Sequence, residues 1–146
     1  VGARKEVPMK VREAMHRSVT WADPSTPVIE IAHMMRSLDV GSIPIGENDR
    51  LVGIVTDRDI ICRAVANQRD LSQLKARDVM TEHVAWCRDD QELAEAAAMM
   101  EQRKVRRLPV IDADKRMVGM LALGDISQRA SRTMSGEILS AVSAHH

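Results

Sequence analysis

Slid along itself by 65 residues, the chain matches its own sequence over most of its length. Arg12, Met15, Val19, Trp21, Glu30, Ala32, Met34, Met35, Val40 and Pro44 fall on Arg77, Met80, Val84, Trp86, Glu95, Ala97, Met99, Met100, Val105 and Pro109. One residue inserted in a polar turn moves the shift to 66, and Val52, Gly53, Asp59 and Ile60 then fall on Val118, Gly119, Asp125 and Ile126. The sequence has two tryptophans, and they land on each other. This is the duplication of a unit of about 60 residues, too long for a solenoid repeat. A unit so small buries too little apolar surface to stand comfortably alone. Two related units packed sheet to sheet solve that, and the natural geometry is pseudo-twofold, with a cleft repeated on both sides of the axis.

The two units read alike. A short helical turn (Val11–Met15, Ala76–Met80) leads to a short strand near Val19–Trp21 or Val84–Trp86. An amphipathic helix follows, its apolar positions read as Ile29, Ala32, His33 and Leu38 in the first unit and Leu93, Ala96 and Met100 in the second. Asp23–Pro24–Ser25–Thr26–Pro27 and Asp89–Asp90 supply start signals. SIPIGENDRLVGIVT and RLPVIDADKRMVGML then read as strand, polar turn, strand. A last helix begins at Asp57 or near Asp125. The order is β-α-β-β-α twice, an α/β (α+β) fold. The expected domains are 8–67 and 76–131, joined by a polar linker at 68–75. Residues 132–146 are expected to add an amphipathic helix through Ile138, Leu139 and Val142, with His145–His146 reading as a tag remnant.

Composition narrows the function classes. Hydrophobic residues make up 45% and charged residues 29%, the balance of a folded globular chain. Formal net charge is zero, so no overall field draws nucleic acid or an anionic membrane. Phe and Tyr are absent, which leaves almost nothing from which to build a base-stacking platform. The ten methionines are expected to fill the core in place of aromatics. Cys62 and Cys87 show no metal-ligand spacing, and no apolar run approaches a membrane span. A reducing cytoplasm is the expected setting. Trp21 and Trp86 read as packing residues, His33 as a packed histidine and Cys62 as a small hydrophobe. No histidine has a catalytic partner pattern, so no enzyme is expected.

Two stretches remain to be explained. LVGIVTDRDI (51–60) ends an apolar run in Thr56, Asp57, Arg58 and Asp59; MVGMLALGDI (117–126) keeps the Gly, the last Asp and the Ile. One reading is helix capping, with Thr56 as N-cap and Asp59 three residues on. The other is ligand binding, because a carboxylate can accept from two adjacent hydroxyls and so hold a ribose, beside free N–H groups at a helix start. Asp125 stands where Ala122 has replaced the threonine, and an Asp kept without its capping hydroxyl suggests a second task. Lys104–Arg107 reads equally as a solvated charge run or as a phosphate contact.

GIVTDRDI (53–60), GMLALGDI (119–126), the openings REAM (12–15) and RDVMT (77–81), and the strands SIPI and RLPV together resemble a CBS-domain pair, or Bateman module, over roughly residues 8–131. The resemblance implies an intramolecular pseudodimer whose two clefts bind adenosine-containing ligands such as AMP, ADP, ATP, NAD or S-adenosylmethionine. It implies a regulatory rather than catalytic role, with no catalytic cofactor. Carried onto this chain, one cleft uses Thr56, Arg58, Asp59, Ser42, Ile43 and Pro44, completed by His83, Val84 and Ala85. The other uses Asp125, Gly124, Arg106, Arg107 and Leu108, with Ser18, Val19 and Val40. Ala122 departs from the pattern in the second cleft, and the first has Gly41 and Ser42 where the second has its arginine pair. The resemblance further implies a homodimer, formed through Ile60, Ile61, Val65, Ile126 and Ala130, and an output through a separate protein effector. The alternative is a structural or interaction module whose clefts have lost useful affinity.

Overall fold

A computed structural model describes residues 9–133. Among them the chain divides into two compact units, named here for their place in the sequence. The middle unit is Thr20–Val84; in the outer unit the segment up to Val19 folds with the segment from Ala85 onward.

In the middle unit, α1 (Val28–Leu38) follows Pro27, whose φ of −59° suits a helix entry. It stops at Asp39, in the left-handed region at φ 55°, and Val40 N–H closes the end on the Met35 carbonyl at 3.1 Å. The antiparallel hairpin of β1 (Ser42–Glu47) and β2 (Arg50–Thr56) turns at Asn48 and Asp49, both at positive φ. That is what a two-residue hairpin with right-handed strand twist requires. Ala22 adds a parallel line to the hairpin: its N–H donates to the Pro44 carbonyl and its carbonyl accepts from Gly46 N–H at 2.8 Å. The Trp21 ring lies where a side chain at Gly46 would have to go.

The short α2 (Asp57–Asp59) runs into a π-helical stretch, Ile60–Val65. After a 3-10 turn at Leu71–Gln73, α3 (Ala76–Val79) leads to Thr81, which bonds both ways to Ile54 of β2. Leu74, within the expected linker, is buried with Val28, Ile31, Ile43, Ile45, Val55, Ala76 and Val79 in this unit's core.

The outer unit repeats the scheme. Its 3-10 turn Val11–Glu13 leads to His16, which bonds both ways to Met120 at 2.9 Å. The parallel strand β3 (Cys87–Arg88) lines β4 (Arg107–Ile111), which pairs antiparallel with β5 (Met117–Ala122). Helix α4 (Leu93–Arg103) ends at Lys104, φ 58°, and α5 (Leu123–Thr133) follows β5 directly. Val11, Ala14 and Met15 are buried with Leu93, Ala96, Met100, Leu108, Val110, Leu121 and Ile126. The opening segment of each repeat is therefore core material for the sheet and helices of the other repeat.

The structure corrects several expectations. The first strand of each unit pairs at Ala22 and at Cys87–Arg88, one or two residues beyond the tryptophans, with Ala22 and Cys87 buried there. Ile29, Ala32, His33 and Leu38 are exposed; α1 buries Val28, Ile31 and Met35 instead. Ile126 is fully buried in the outer core, so it cannot belong to an exposed interface. Trp86 is half-exposed and Cys62 exposed, neither being core. The expected helix through Ile138, Leu139 and Val142 and the side chain of Ala130 lie outside the described residues.

Candidate functional site

The junction of β2 with α2 is built by a reciprocal cap. Thr56 is extended, its hydroxyl accepts from Asp59 N–H at 3.0 Å, and Asp59 Oδ2 accepts from Thr56 N–H at 2.9 Å. Asp59 is only 8% exposed, which a carboxylate tolerates when its oxygens are satisfied. Thr81, brought in by its pairing with Ile54, donates its hydroxyl to Asp59 Oδ1 at 3.2 Å. Arg63, one turn along, sits 3.8 Å from Oδ1 and donates to the carbonyls of Val79 and Met80 at 3.2 and 2.8 Å. It fixes the segment that carries Thr81. Gly53 permits this close approach: a Cβ there would lie 2.8 Å from the Met80 sulfur and 3.0 Å from the Thr81 carbonyl.

The outer unit repeats the carboxylate with different neighbours. Asp125 Oδ2 accepts from Ala122 N–H at 3.0 Å, and Oδ1 lies 2.8 Å from His16 Nε2. Replacing threonine by Ala122 thus removes the hydroxyl half of the cap and leaves the backbone half in place. The capping role of Asp125 survives, so its retention alone does not demand a second task. Gly119 is pressed by the His16 carbonyl as Gly53 is by that of Thr81.

The remaining expected residues fall as follows. Ser42 sits opposite Thr56 in the hairpin and is half-buried, while Ile43 and Pro44 are buried. Arg58 is exposed beside Asp57, whose carboxylate accepts from Arg58 N–H at 2.8 Å. Exposed His83 and half-buried Val84 share the middle unit with Asp59; Ala85 opens the next segment of the outer unit. Ser18 and Val19 share the outer unit with Asp125, whereas Val40 belongs to the middle unit. Arg106 and Arg107 are exposed, and Leu108 is buried. Arg107 is opposite Ala122 in the hairpin, and the Arg106 carbonyl accepts from Leu123 N–H at 2.8 Å. The matching bond in the middle unit is Asp57 N–H to the Gly41 carbonyl at 3.0 Å. Where one unit places Gly41 and an acidic Asp57, the other places Arg106 and an apolar Leu123. Gly124 faces open space.

Three residues around the carboxylates escaped the sequence reading: His16, Thr81 and Arg63. The repeat carried the signal, since His16 and Thr81 stand in register directly after the matched Met15 and Met80. The buried thiol of Cys87 is pushed up to about 12 by desolvation and stays protonated at neutral pH. Among the described residues no group of three or more His, Cys, Asp or Glu is placed to hold a metal ion. Nor is any helix among them long and apolar enough to cross a membrane.

A duplicated hairpin-and-helix unit, each copy holding an aspartate at the third residue of the closing helix, defines a tandem-repeat module of mixed helices and strands. The CBS domain model matches residues 11–65 and 76–132, and the chain belongs to the CBS domain family. It is 34% identical to the CBS domain-containing protein YhcV of Bacillus subtilis, over 91% of this chain and 94% of that one. It is 33% identical to the uncharacterized protein MK0525 of Methanopyrus kandleri over 82% of this chain and 62% of that one. The inosine-5′-monophosphate dehydrogenase of Methanocaldococcus jannaschii is 32% identical over 89% of this chain, which spans only 26% of that enzyme. Among solved structures, hypoxic response protein I with two coordinated zinc ions superposes with TM-score 0.75 at 31% identity, covering 82% of this chain and 98% of that one. CBSX2 in complex with AMP gives 0.74 at 28%, covering 84% and 96%; CBSX2 is a CBS-pair protein of Arabidopsis thaliana.

Proposed function

We propose that this CBS pair is a regulatory sensor that binds an adenosine-containing ligand (AMP, ADP, ATP, NAD or S-adenosylmethionine) through Asp59 and Asp125. The observation that carries the reading is the matched pair of carboxylates, each placed at a strand-to-helix junction and tied to the strand's last backbone N–H. Each retains lone pairs suited to a ribose diol. The AMP complex of CBSX2, alike across 96% of its length, supports the ligand class. Thr56, Arg58, Ser42, Ile43, Pro44, His83, Val84 and Ala85 would surround the ligand at Asp59. Gly124, Arg106, Arg107, Leu108, Ser18, Val19 and Val40 would surround the one at Asp125. The acidic Asp57 near one carboxylate and the arginines near the other make the two sites inequivalent, the arginine-bearing one favouring phosphate.

Binding would shift the arrangement of the repeats and so alter contact with a protein effector, in the cytoplasm and as a homodimer. Exposed Ile61 and Val65 support a helical dimer surface. The test is a thermal-shift panel of AMP, ADP, ATP, NAD, NADH and S-adenosylmethionine. A ligand at about 100 times its Kd adds roughly 2.7 kcal/mol, read as a rise of about 5–10 °C. No shift with any member would favour a structural or interaction module instead.

A further inference from the structure

Thr81 and His16 hold the same place in the repeat but bring different chemistry to their carboxylates. Each is bonded both ways by its backbone to the strand that leads to the aspartate, Thr81 to Ile54 and His16 to Met120. Thr81 gives Asp59 a neutral hydroxyl at 3.2 Å, and His16 gives Asp125 an imidazole at 2.8 Å. We propose that this position is a specificity determinant, and that His16 gives binding at Asp125 a proton dependence that Thr81, a neutral hydroxyl, does not give at Asp59. The inference rests on the adenosine reading above.

The argument concerns what a ribose diol must displace. Oδ2 of Asp125 already accepts from Ala122 N–H, so Oδ1 is the oxygen with most to offer, and His16 occupies it. A threonine hydroxyl both donates and accepts, so Thr81 can turn and stay in the network when a diol arrives. A protonated imidazole only donates and forms a charge-assisted pair with the carboxylate, which the diol has to break. Neutral imidazole carries a lone pair and can accept from the diol instead. His16 is 71% exposed, so solvent screening keeps the worth of its 2.8 Å pair with Asp125 modest.

The charged surroundings include Arg106 and Arg107, which β4 brings to the backbone of Ala122 and Leu123. Strand β5 brings no ionisable side chain to His16, and α5 brings Asp125, with Arg129 one turn further on. The segment itself carries Arg12, Glu13 and Arg17; Glu13 accepts from Lys10 N–H at 2.7 Å, and Arg17 donates to the Arg12 carbonyl at 3.3 Å. Of these groups, imidazole is the kind that ordinarily changes charge between pH 5 and 8.

The test uses adenosine, which has no titrating phosphate, in calorimetry at pH 5.5 and 8.0. Asp59→Asn isolates the Asp125 site, and there affinity should fall about three- to fivefold at the lower pH. His16→Thr in that background should flatten the dependence, and Thr81→His with Asp125→Asn should import it to the other site. A flat profile with Asp59→Asn alone, or a dependence that survives His16→Thr, would overturn the proposal while leaving the adenosine reading intact. Failure of the wild-type protein to bind adenosine at either pH would bring down both.

Discussion

Asp59 serves several groups at once: it caps α2, accepts the Thr81 hydroxyl and lies near the Arg63 guanidinium. Deleting it as Asp59→Ala strands a part-buried hydroxyl and the Thr56 N–H, and should cost about 1–3 kcal/mol in chemical denaturation. Thr56→Ala converts this cap into the half-cap seen at Ala122 and should cost about 0.5–2 kcal/mol, with the fold unchanged by circular dichroism. At the other site, Arg106→Ala with Arg107→Ala should weaken ATP more than adenosine, and the difference should shrink in titrations at higher salt. Equal losses for both ligands would remove the phosphate role. Cys87 makes a pH prediction. Its thiol resists ionisation in the fold up to about 12, whereas an unfolded thiol ionises near pH 8.5. Unfolding therefore releases a proton at alkaline pH, so stability should be retained below about pH 8.5 and decline between there and pH 12 in urea melts. The cap at Asp59 was legible from sequence because it depends on neighbours three residues apart. Its contacts with Thr81 and Arg63 were not, since they come from the path of segment 79–81 beside β2.

At the scale of the element, α1 is the instructive case. Apolar residues stand at seven of its positions, among Glu30, His33, Arg36 and Ser37, and the expected face ran through Ile29, Ala32, His33 and Leu38. The structure buries Val28, Ile31 and Met35. These are the counterparts of Leu93, Ala96 and Met100, where a more polar helix left one choice, so the second copy identifies the right face of the first. Ile31→Ala should cost about 2–5 kcal/mol, as for any large-to-small change in a packed core. Ile29→Ala should stay within about 0.5 kcal/mol, being a surface change; equal losses in denaturant melts would contradict the observed face. The strands were legible as runs of buried residues between turn signals. The π-helical Ile60–Val65 was not, because neither its composition nor the regular α5 in the other copy announces it.

For the whole molecule, the duplication settled the fold class, and the division into compact units follows from where the opening segments pack. Val11, Ala14 and Met15 belong to the core of the second repeat, and Ala76 and Val79 to that of the first. A fragment beginning at residue 68 keeps every strand and helix of the second repeat but loses three buried core side chains. It should fail to show a cooperative melt as a monomer, whereas the same fragment mixed with a peptide of residues 8–19 should regain one. Sequence similarity between the repeats could not reveal this pairing, because an opening segment matched to its own repeat fits the alignment equally well. The central claim, that the paired aspartates hold a ribose, is tested most directly by calorimetry of AMP and of its 2′,3′-dideoxy analogue against the wild-type protein and the Asp59→Asn and Asp125→Asn variants. Asparagine still accepts hydrogen bonds at a helix start, so the fold should persist. If each carboxylate holds the diol, each substitution should remove about 1.5–3 kcal/mol of AMP binding at its own site, and the dideoxy analogue should bind weakly and equally to all three proteins. AMP bound with unchanged affinity by both variants would contradict the claim and leave the aspartates as helix caps.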